Sequence, residues 1–270
     1  MFRPRESYDL RLLDADLEIV PEPTGLRWVH DVFDNSVVVA TFDKMATELH
    51  FASTVRLEHR EISLPDYTLE SRAKSFPFNY SSDEMRNLAQ ARRRRHRSTA
   101  VDVWIRQFLN PGQPVDTMEL LQRVTTGIKD QFTYERRTEK GVRSPGETLR
   151  CGRGSCRDFA LLMMEGIRSL GLAARFVSGY IFVPGARATK SGVTVGGGST
   201  HAWTQVYLPG AGWVDFDPTN DIVGNRNLIR VAVAWDPAQV LPLWGTFSGN
   251  ASSFRGMVVT VSVTEENERL

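Results

Sequence analysis

The chain of 270 residues contains only two cysteines, Cys151 and Cys156. A small secreted protein that depends on disulfides usually carries more, so the sequence does not indicate a disulfide framework. The two cysteines lie five positions apart, which is not the Cys-x-x-Cys spacing of redox and zinc sites, and no further ligands stand nearby. We therefore expect no metal site.

The sequence also has little net charge and no long apolar run. Its 33 basic and 32 acidic side chains leave a formal net charge of +1, which gives no overall attraction to nucleic acid or to anionic membranes. No stretch approaches the roughly 18–20 apolar residues that span a membrane. The charged start, Met1–Ser7, is not followed by the apolar segment of a signal peptide. The expected compartment is the cytoplasm, with no membrane partner.

Positive charge is concentrated at positions 92–97, which hold five arginines and one histidine. Such a run can bind phosphate groups or nucleic acid. It lacks interleaved aromatic residues and any motif that reads a groove, so a solvated helix face is the favoured interpretation. We expect no nucleic-acid partner.

Alternating patterns predict strands in the first 62 residues. Apolar and mostly polar residues alternate from Leu49 to Leu57, and the β-branched run Val37–Phe42 follows a turn-forming Asp-Asn-Ser sequence. Short strands joined by turns predict a small antiparallel sandwich. The pattern then changes, and residues 63–270 are interpreted as a second domain.

This second domain has helical signals first and strand signals later. The helical signals, which are capping pairs or helix-forming runs, occur at Ser81/Glu84, Ala89–Arg95, Val101–Leu109 and Asp116–Lys129. Ser144–Glu147 predicts a turn or loop, and the Gly-rich stretch Lys190–Ser199 predicts a mobile loop. The strand signals occur at Ala173–Val183, Ala202–Leu208, Trp213–Asp217 and Met257–Val263.

Cys156 stands where the chain turns into a predicted helix that begins at Ser155 and ends near Leu170. Gly152 and Gly154 allow a sharp turn and a close approach of the backbone to a substrate. A thiolate in the first helical turn is stabilised by the positive end of the helix dipole, so Cys156 is a candidate nucleophile. The alternative is an inert buried cysteine, the usual fate of a free thiol.

His201 opens a predicted strand, and Asp215 and Asp217 lie in the next strand after a Pro209–Gly212 turn. A histidine at a strand end can serve as the base for a thiol, and a carboxylate beside it can orient the imidazole. Strand alternation places both aspartates on one face and does not choose between them. The alternatives are a core or surface histidine and a turn-capping aspartate.

Three motifs in this half of the chain resemble those of the bacterial transglutaminase-like proteins. They are Gly-Ser-Cys-Arg-Asp-Phe-Ala at residues 154–160, Leu-Gly-Leu-Ala-Ala-Arg-Phe-Val-Ser-Gly-Tyr at 170–180, and the segment 201–220. The order and the spacing both match, with 45 positions from the cysteine to the histidine and 16 more to the aspartate. The resemblance covers residues 144–220.

The resemblance implies an α+β fold with a papain-related core, in which a helix bearing the cysteine packs on an antiparallel sheet bearing the histidine and the aspartate. Residues 29–36 resemble the β-sandwich-like region that often precedes this core, which agrees with a β-rich region at 1–62. The segment Ile229–Pro237 departs from the Gly-Arg-Asp-Tyr motif that is common in the family, which concerns one wall of the cleft.

The resemblance also implies the catalytic residues, because the family's cysteine, histidine and aspartate correspond to Cys156, His201 and Asp217. The implied reaction is acyl transfer through a thioester on Cys156, with His201 protonating the departing amine and no cofactor. The backbone N–H of Cys156 is a natural donor to the oxyanion, and Tyr134 is a weak candidate for a second donor.

The acceptor of the acyl group separates two activities. Water would make the protein a protease or amidase, and an amine would make it a transglutaminase. We expect hydrolysis of a peptide or protein substrate, because no acidic pocket for a lysine-like acceptor is evident and the Gly-rich stretch should leave the site open to solvent. Transamidation and a non-enzymatic binding module on the same fold remain alternatives.

Overall fold

The computed structural model describes residues 1–62, 67–136, 141–183 and 200–266. Its helices are α1 Ser82–Asn87, α2 Ala89–Arg92, α3 Thr99–Arg106, α4 Thr117–Gln131, α5 Pro145–Cys151 and α6 Cys156–Ser169. Its strands are β1 Leu10–Val20, β2 Gly25–His30, β3 Ser36–Thr41, β4 His50–His59, β5 Ser75–Phe76, β6 Val115–Asp116, β7 Thr133–Tyr134, β8 Arg153–Gly154, β9 Ala174–Ile181, β10 His201–Leu208, β11 Gly212–Asp217, β12 Ile222–Val223 and β13 Leu228–Ala234. Short 3₁₀ helices lie at Ser71–Ala73, Pro237–Gln239 and Ala251–Ser253.

The centre of the fold is a five-stranded antiparallel sheet with α6 packed against it. The strand order is β12–β11–β10–β9–β13. Apolar side chains of α6, among them Phe159, Leu162 and Met163, are buried in the main core. Thr204 of β10 donates its hydroxyl to the carbonyl of Ala160 in α6 at 2.8 Å. Because α3, α4 and α5 also contact α6, this helix is enclosed, and the predicted α+β architecture is confirmed.

The predicted hairpin between β10 and β11 brings two functional candidates to one end of the sheet. Leu208 pairs with Gly212 across the turn. Gly210 has a φ of 91°, and a Cβ there would lie 2.6 Å from the backbone nitrogen of Glu70, so a larger residue would be strained. The hairpin therefore holds its turn against the preceding segment, with β10 starting and β11 ending at the opposite edge.

Ser144–Glu147, predicted to be a turn or loop, instead forms the start of α5. The side chain of Ser144 accepts the N–H of Glu147 at 3.4 Å, and Glu147 accepts the N–H of Ser144 at 3.0 Å. Pro145 occupies the first helical position, where its missing N–H costs nothing. The Ser-Pro-Gly-Glu sequence is thus a capping box.

The predicted last strand, Met257–Val263, is wrong, because the described residues there form no strand. Met257 and Val258 are 62% and 93% exposed. Glu266 pairs with Arg56 of β4 at 2.9 Å, but no backbone ladder joins the two segments. β-branched residues alone do not make a strand without a neighbour to pair with.

The arginine run at 92–97 is tied into the fold and is not simply a solvated helix face. α2 ends at Arg92, although the sequence pattern favoured helix as far as Arg95. The backbone N–H groups of Arg95 and His96 lie 3.3 and 3.2 Å from the carboxylate oxygens of Glu165, a buried residue of α6. A buried carboxylate needs such donors, and this distant partner ends the helix early.

The first 62 residues contain two antiparallel strand pairs, β1 with β4 and β2 with β3, so the predicted β-rich region is confirmed. Two asparagine side chains, which we call the asparagine clamps, join this region to the rest of the protein. Asn35 accepts the N–H of Val233 and donates to its carbonyl, both at 2.9 Å. Asn225 accepts the N–H of Ile62 at 2.6 Å and donates to Asp9 at 2.9 Å. The domain boundary near residue 62 stays a prediction.

His96 gives the fold a pH-dependent contact. Its Nε2 lies 2.8 Å from Oδ2 of Asp236, and this hydrogen bond raises the pKa of His96 above its ordinary value. A histidine with a raised folded-state pKa stabilises the fold fully below its unfolded pKa of about 6.5, and this stabilisation is lost as pH rises through the folded pKa. We therefore expect His96→Ala to destabilise the protein more at about pH 5.5 than at about pH 9, as measured by urea unfolding.

The matched control is His50→Ala, because His50 is exposed and lies on β4, far from this contact in sequence. Its effect on the free energy of unfolding should be small at both pH values. An equal loss of stability for His96→Ala at the two pH values would contradict the prediction.

Candidate active site

Cys156 is the first residue of α6 and is 6% exposed. It follows β8, which pairs in parallel with β7 and so fixes the segment before the helix. Gly152 ends α5 in the left-handed region with a φ of 64°. A Cβ on Gly154 would lie 2.9 Å from the Cβ of Asp158. The two glycines therefore permit the tight connection that places the thiol at the N-terminus of α6.

Asp158 holds this connection in place, a role that sequence reasoning missed. One carboxylate oxygen accepts the N–H of Arg143 at 2.7 Å, and the other accepts the N–H of Ser155 at 2.9 Å and its hydroxyl at 3.0 Å. The available signal was the acidic residue three positions after a serine at a helix start. Asp158 is fully buried, so it orients the turn without facing solvent.

His201 and Asp217 form a buried pair. Nε2 of His201 lies 2.8 Å from Oδ2 of Asp217, and both side chains are 0% exposed. Asn220 donates to the same Oδ2 at 2.7 Å, and its Nδ2 lies 3.3 Å from the imidazole Nε2. The N–H of Thr219 donates to Oδ1 at 2.9 Å. Three donors thus fix the carboxylate, and two of them, Thr219 and Asn220, were not identified from the sequence.

This pair favours the charged forms of both partners. Burial alone would lower the pKa of His201, but the charge and hydrogen bond of Asp217, together with the side chain of Cys156, raise it to about 10. Burial would raise the pKa of Asp217, but His201, Asn220 and the N–H of Thr219 hold it below its ordinary value. An imidazolium beside a carboxylate is therefore the expected state at neutral pH.

The second ring nitrogen of His201 is left for the thiol. Nδ1 is buried and has no hydrogen bond of ordinary geometry to the described residues. The side chain of Cys156 nevertheless interacts with the imidazole and contributes to its raised pKa. Because Asp217 and Asn220 occupy the Nε2 side, Nδ1 is the atom that can exchange a proton with Cys156.

Asp215, the other aspartate on the strand face, has a different partner. It accepts the indole N–H of Trp203 at 2.5 Å and is fully buried. Burial raises its pKa, and the charge of Arg230 opposes that rise. The structure therefore brings Cys156, His201 and Asp217 together and directs Asp215 to the indole.

Tyr134 lies at the same site. It pairs with Gly154 in the β7–β8 ladder, two residues before Cys156. Burial, followed by the charges of Cys156 and Asp217, raises the pKa of Tyr134 to about 12. Its neutral hydroxyl is therefore near both groups and is suited to donate to a developing oxyanion.

Charged residues beside the nucleophile are paired. Glu135 lies 2.5 Å from Arg143 and 3.5 Å from Arg153. Arg143 also donates to the carbonyl of Arg153 at 3.1 Å, so these side chains brace the segment that leads to α6. The acidic group nearest in sequence to Tyr134 is thus shared by two arginines.

The Gly-rich stretch Lys190–Ser199, predicted to be a mobile loop, lies outside the described residues. Within the described part of the chain, no group of three or more His, Cys, Asp or Glu side chains is placed to hold a metal ion. None of the helices described is both long enough and apolar enough to cross a membrane.

Two protein-family models match the chain. The model of the transglutaminase-like superfamily matches residues 106–218. The model of the bacterial transglutaminase-like N-terminal region matches residues 1–58. The first match contains Cys156, His201 and Asp217, and the second covers β1 to β3 and most of β4.

Curated relatives share part of this sequence. The uncharacterized protein ML0607 of Mycobacterium leprae is 40% identical over 123 residues, which are 45% of this chain and 42% of that protein. The uncharacterized protein Rv2569c of Mycobacterium tuberculosis is 33% identical over 159 residues, which are 57% of this chain and 48% of that protein. The chain thus spans less than half the length of either relative.

A solved structure has a similar fold. It is the crystal structure of a candidate cysteine protease from Cytophaga hutchinsonii, which superposes with a TM-score of 0.63 over 87% of this chain and 75% of that chain at 17% identity. At this identity the likeness concerns the fold alone. Together with the family match, it confirms the papain-related α+β fold expected from the sequence.

Proposed function

Because this chain belongs to the transglutaminase-like superfamily, we propose that it is an enzyme that transfers acyl groups through a thioester on Cys156. The observation that carries the proposal is the buried pair of His201 and Asp217, 2.8 Å apart, beside the thiol at the start of α6. An imidazolium held next to a thiol favours the nucleophilic thiolate.

The first half of the reaction forms the thioester. The Cys156 sulfur attacks the carbonyl carbon of a peptide bond or of a glutamine side chain, and the carbonyl oxygen becomes an oxyanion. The N–H of Cys156 and the hydroxyl of Tyr134 are the candidate donors to that oxyanion, and each such donor is typically worth about 10²–10³-fold in rate. His201 then gives its proton to the nitrogen of the departing amine.

The second half releases the acyl group. His201, now neutral, takes a proton from the incoming acceptor, which attacks the thioester carbonyl and frees the Cys156 sulfur. Asp217 holds the imidazole in position in both halves and stabilises its charged form.

Water is the proposed acceptor, which makes the protein a protease or amidase acting on a peptide or protein. A transamidating enzyme must attract an amine, usually a cationic lysine side chain, and keep water from the thioester. Among the described residues around the nucleophile, Glu135 is already paired with Arg143 and Arg153, and Asp158 is buried. This charge distribution disfavours a cationic acceptor.

We expect free acid to be the main product when a glutamine-containing peptide is supplied with a labelled primary amine at millimolar concentration. Mass spectrometry measures the free acid and the amine conjugate together, with Cys156→Ala as the control. Amine incorporation that depends on Cys156 and outpaces hydrolysis would show transamidation. If a folded protein yields neither product over a broad peptide panel, and Cys156 fails to react with iodoacetamide, the protein is a binding module.

A further inference from the structure

Trp203 lies against the face of the candidate catalytic histidine. It follows His201 by two residues in β10, so both side chains project from the same face of the sheet. Their ring centroids are 5.9 Å apart and their planes differ by 28°, which is a stacked arrangement. Trp203 is fully buried. The indole is therefore a fixed neighbour of an imidazole that the rest of the site keeps charged.

The indole is held at both ends. Its N–H donates to Oδ1 of Asp215 at 2.5 Å. At its far end, a Cβ on Gly179 would lie 2.7 Å from Cη2 of Trp203 and 2.1 Å from the carbonyl oxygen of Ile229. Only a glycine at this position leaves room for the ring. The position of the indole is thus over-determined, which a residue that merely fills the core does not need.

Asp215 belongs to a charged network behind the sheet. The groups acting on it are Arg230 from β13, Gln205 from β10 and Asp9 from the N-terminal region. Arg230 in turn lies 3.4 Å from Oδ1 of Asp9 and donates to Ser7 at 3.1 Å. Arg175 of β9, which donates to Gln205 at 2.8 Å, completes the set. The anchor of the indole is therefore itself braced by three strands and the N-terminal segment.

The imidazole has limited means of support. The groups that face it are Asp217 and Asn220 on the Nε2 side, the Cys156 thiol, and the indole. A second hydrogen-bond acceptor at Nδ1 would stabilise the imidazolium but would block the thiol. A stacked aromatic face stabilises a buried cation without using either ring nitrogen.

We propose that Trp203 is a positioning residue for His201, whose indole face stabilises the imidazolium and fixes its plane while Asp215 anchors the indole. This inference rests on the proposed triad. A carboxylate that accepts the indole N–H also increases the electron density of the ring, which strengthens its attraction for a cation. The chain Asp215–Trp203–His201 thus supports the ring face, as Asp217 supports the ring edge.

The test is an NMR titration of the His201 imidazole in Cys156→Ala protein, which removes the thiol from the titration. His201→Ala identifies the signal among the five histidines. A buried cation–π contact is worth up to about 2 kcal/mol, and one pKa unit corresponds to about 1.4 kcal/mol. We therefore expect Trp203→Leu to lower the pKa of His201 by about one unit and Trp203→Phe to lower it by less. The matched control, Trp213→Phe, alters a tryptophan of the neighbouring strand and should leave the titration unchanged.

Two further outcomes separate the possibilities. If Trp203→Leu does not fold, Asp215→Asn keeps the indole but removes the anchoring charge, and a smaller downward shift of the His201 pKa is expected. Trp203→Phe and Asp215→Asn proteins that fold, lose thermal stability and titrate like the parent protein would overturn the proposal. The proposed enzymatic function fails separately, through absence of turnover in protein with the intact Cys156, whatever the titration shows.

Discussion

Cys156→Ala should abolish turnover, whereas Cys151→Ala should leave it close to that of the parent protein. Cys156 begins α6 beside the imidazole of His201, and its sulfur is the only group proposed to carry the acyl intermediate. Cys151 is the last residue of α5, where it is exposed and carries no proposed role. Release of nitrophenol from an activated ester measures acyl transfer without knowledge of the natural substrate. The two substitutions are a matched pair because the chain has only two cysteines.

Alkylation gives an independent measure of the same assignment. Access favours Cys151, which is exposed, but thiolate character favours Cys156, and the two effects separate at mildly acidic pH. An ordinary thiol with a pKa of about 8.5 is almost entirely protonated near pH 6 and reacts slowly with iodoacetamide. His201 remains protonated there, so the sulfur of Cys156 should be labelled first. Faster labelling of Cys151 at this pH, with turnover surviving Cys156→Ala, would remove the assignment.

Asp217→Asn should lower the turnover rate by orders of magnitude, up to about 10⁴-fold. Both oxygens of Asp217 act as acceptors, Oδ2 for His201 and Asn220 and Oδ1 for the N–H of Thr219. An asparagine offers one acceptor oxygen, so its amide NH₂ must face one of these donors. The negative charge that raises the pKa of His201 is lost as well, and the imidazolium should then deprotonate at lower pH.

Asp215→Asn is the matched control for this prediction, because it makes the same change on the same face of β11. Its contact is with Trp203 and not with a ring nitrogen of His201, so its effect on kcat should be milder. Urea unfolding of both variants establishes that they are folded before the rates are compared. The reverse ranking of kcat in folded proteins would mean that the wrong carboxylate was chosen.

Local chemistry made much of this site predictable. The glycines before Cys156, the helix start at Ser155 and the turn between the last two site strands are signals carried within a few residues, and the structure contains all three elements. Alternation correctly placed Asp215 and Asp217 on one face. It could not choose between them, because the choice depends on whether a side chain reaches an imidazole or an indole on the neighbouring strand. Only the family resemblance favoured Asp217.

The features that were missed depend on partners far away in the sequence. The helix expected to continue to Arg95 ends early because Glu165, some 70 positions later, takes the backbone amides. Asp158 reaches back to Arg143, and no periodicity reports such a contact. The capping box at Ser144 was a local signal and was misread as a turn, since Pro and Gly stand between its two members.

The asparagine clamps have a consequence for how this protein can change over time. Asn35 lies in the N-terminal region and completes the open edge of β13, while Asn225 lies beyond the sheet hairpin and holds the backbone of Ile62. Each clamp crosses the predicted boundary in the opposite direction, so loss of either leaves buried backbone groups unpaired on the other side. The first 62 residues are therefore not an interchangeable module. A replacement could be accepted only if it brought an amide to the edge of β13 and a chain end to the side chain of Asn225.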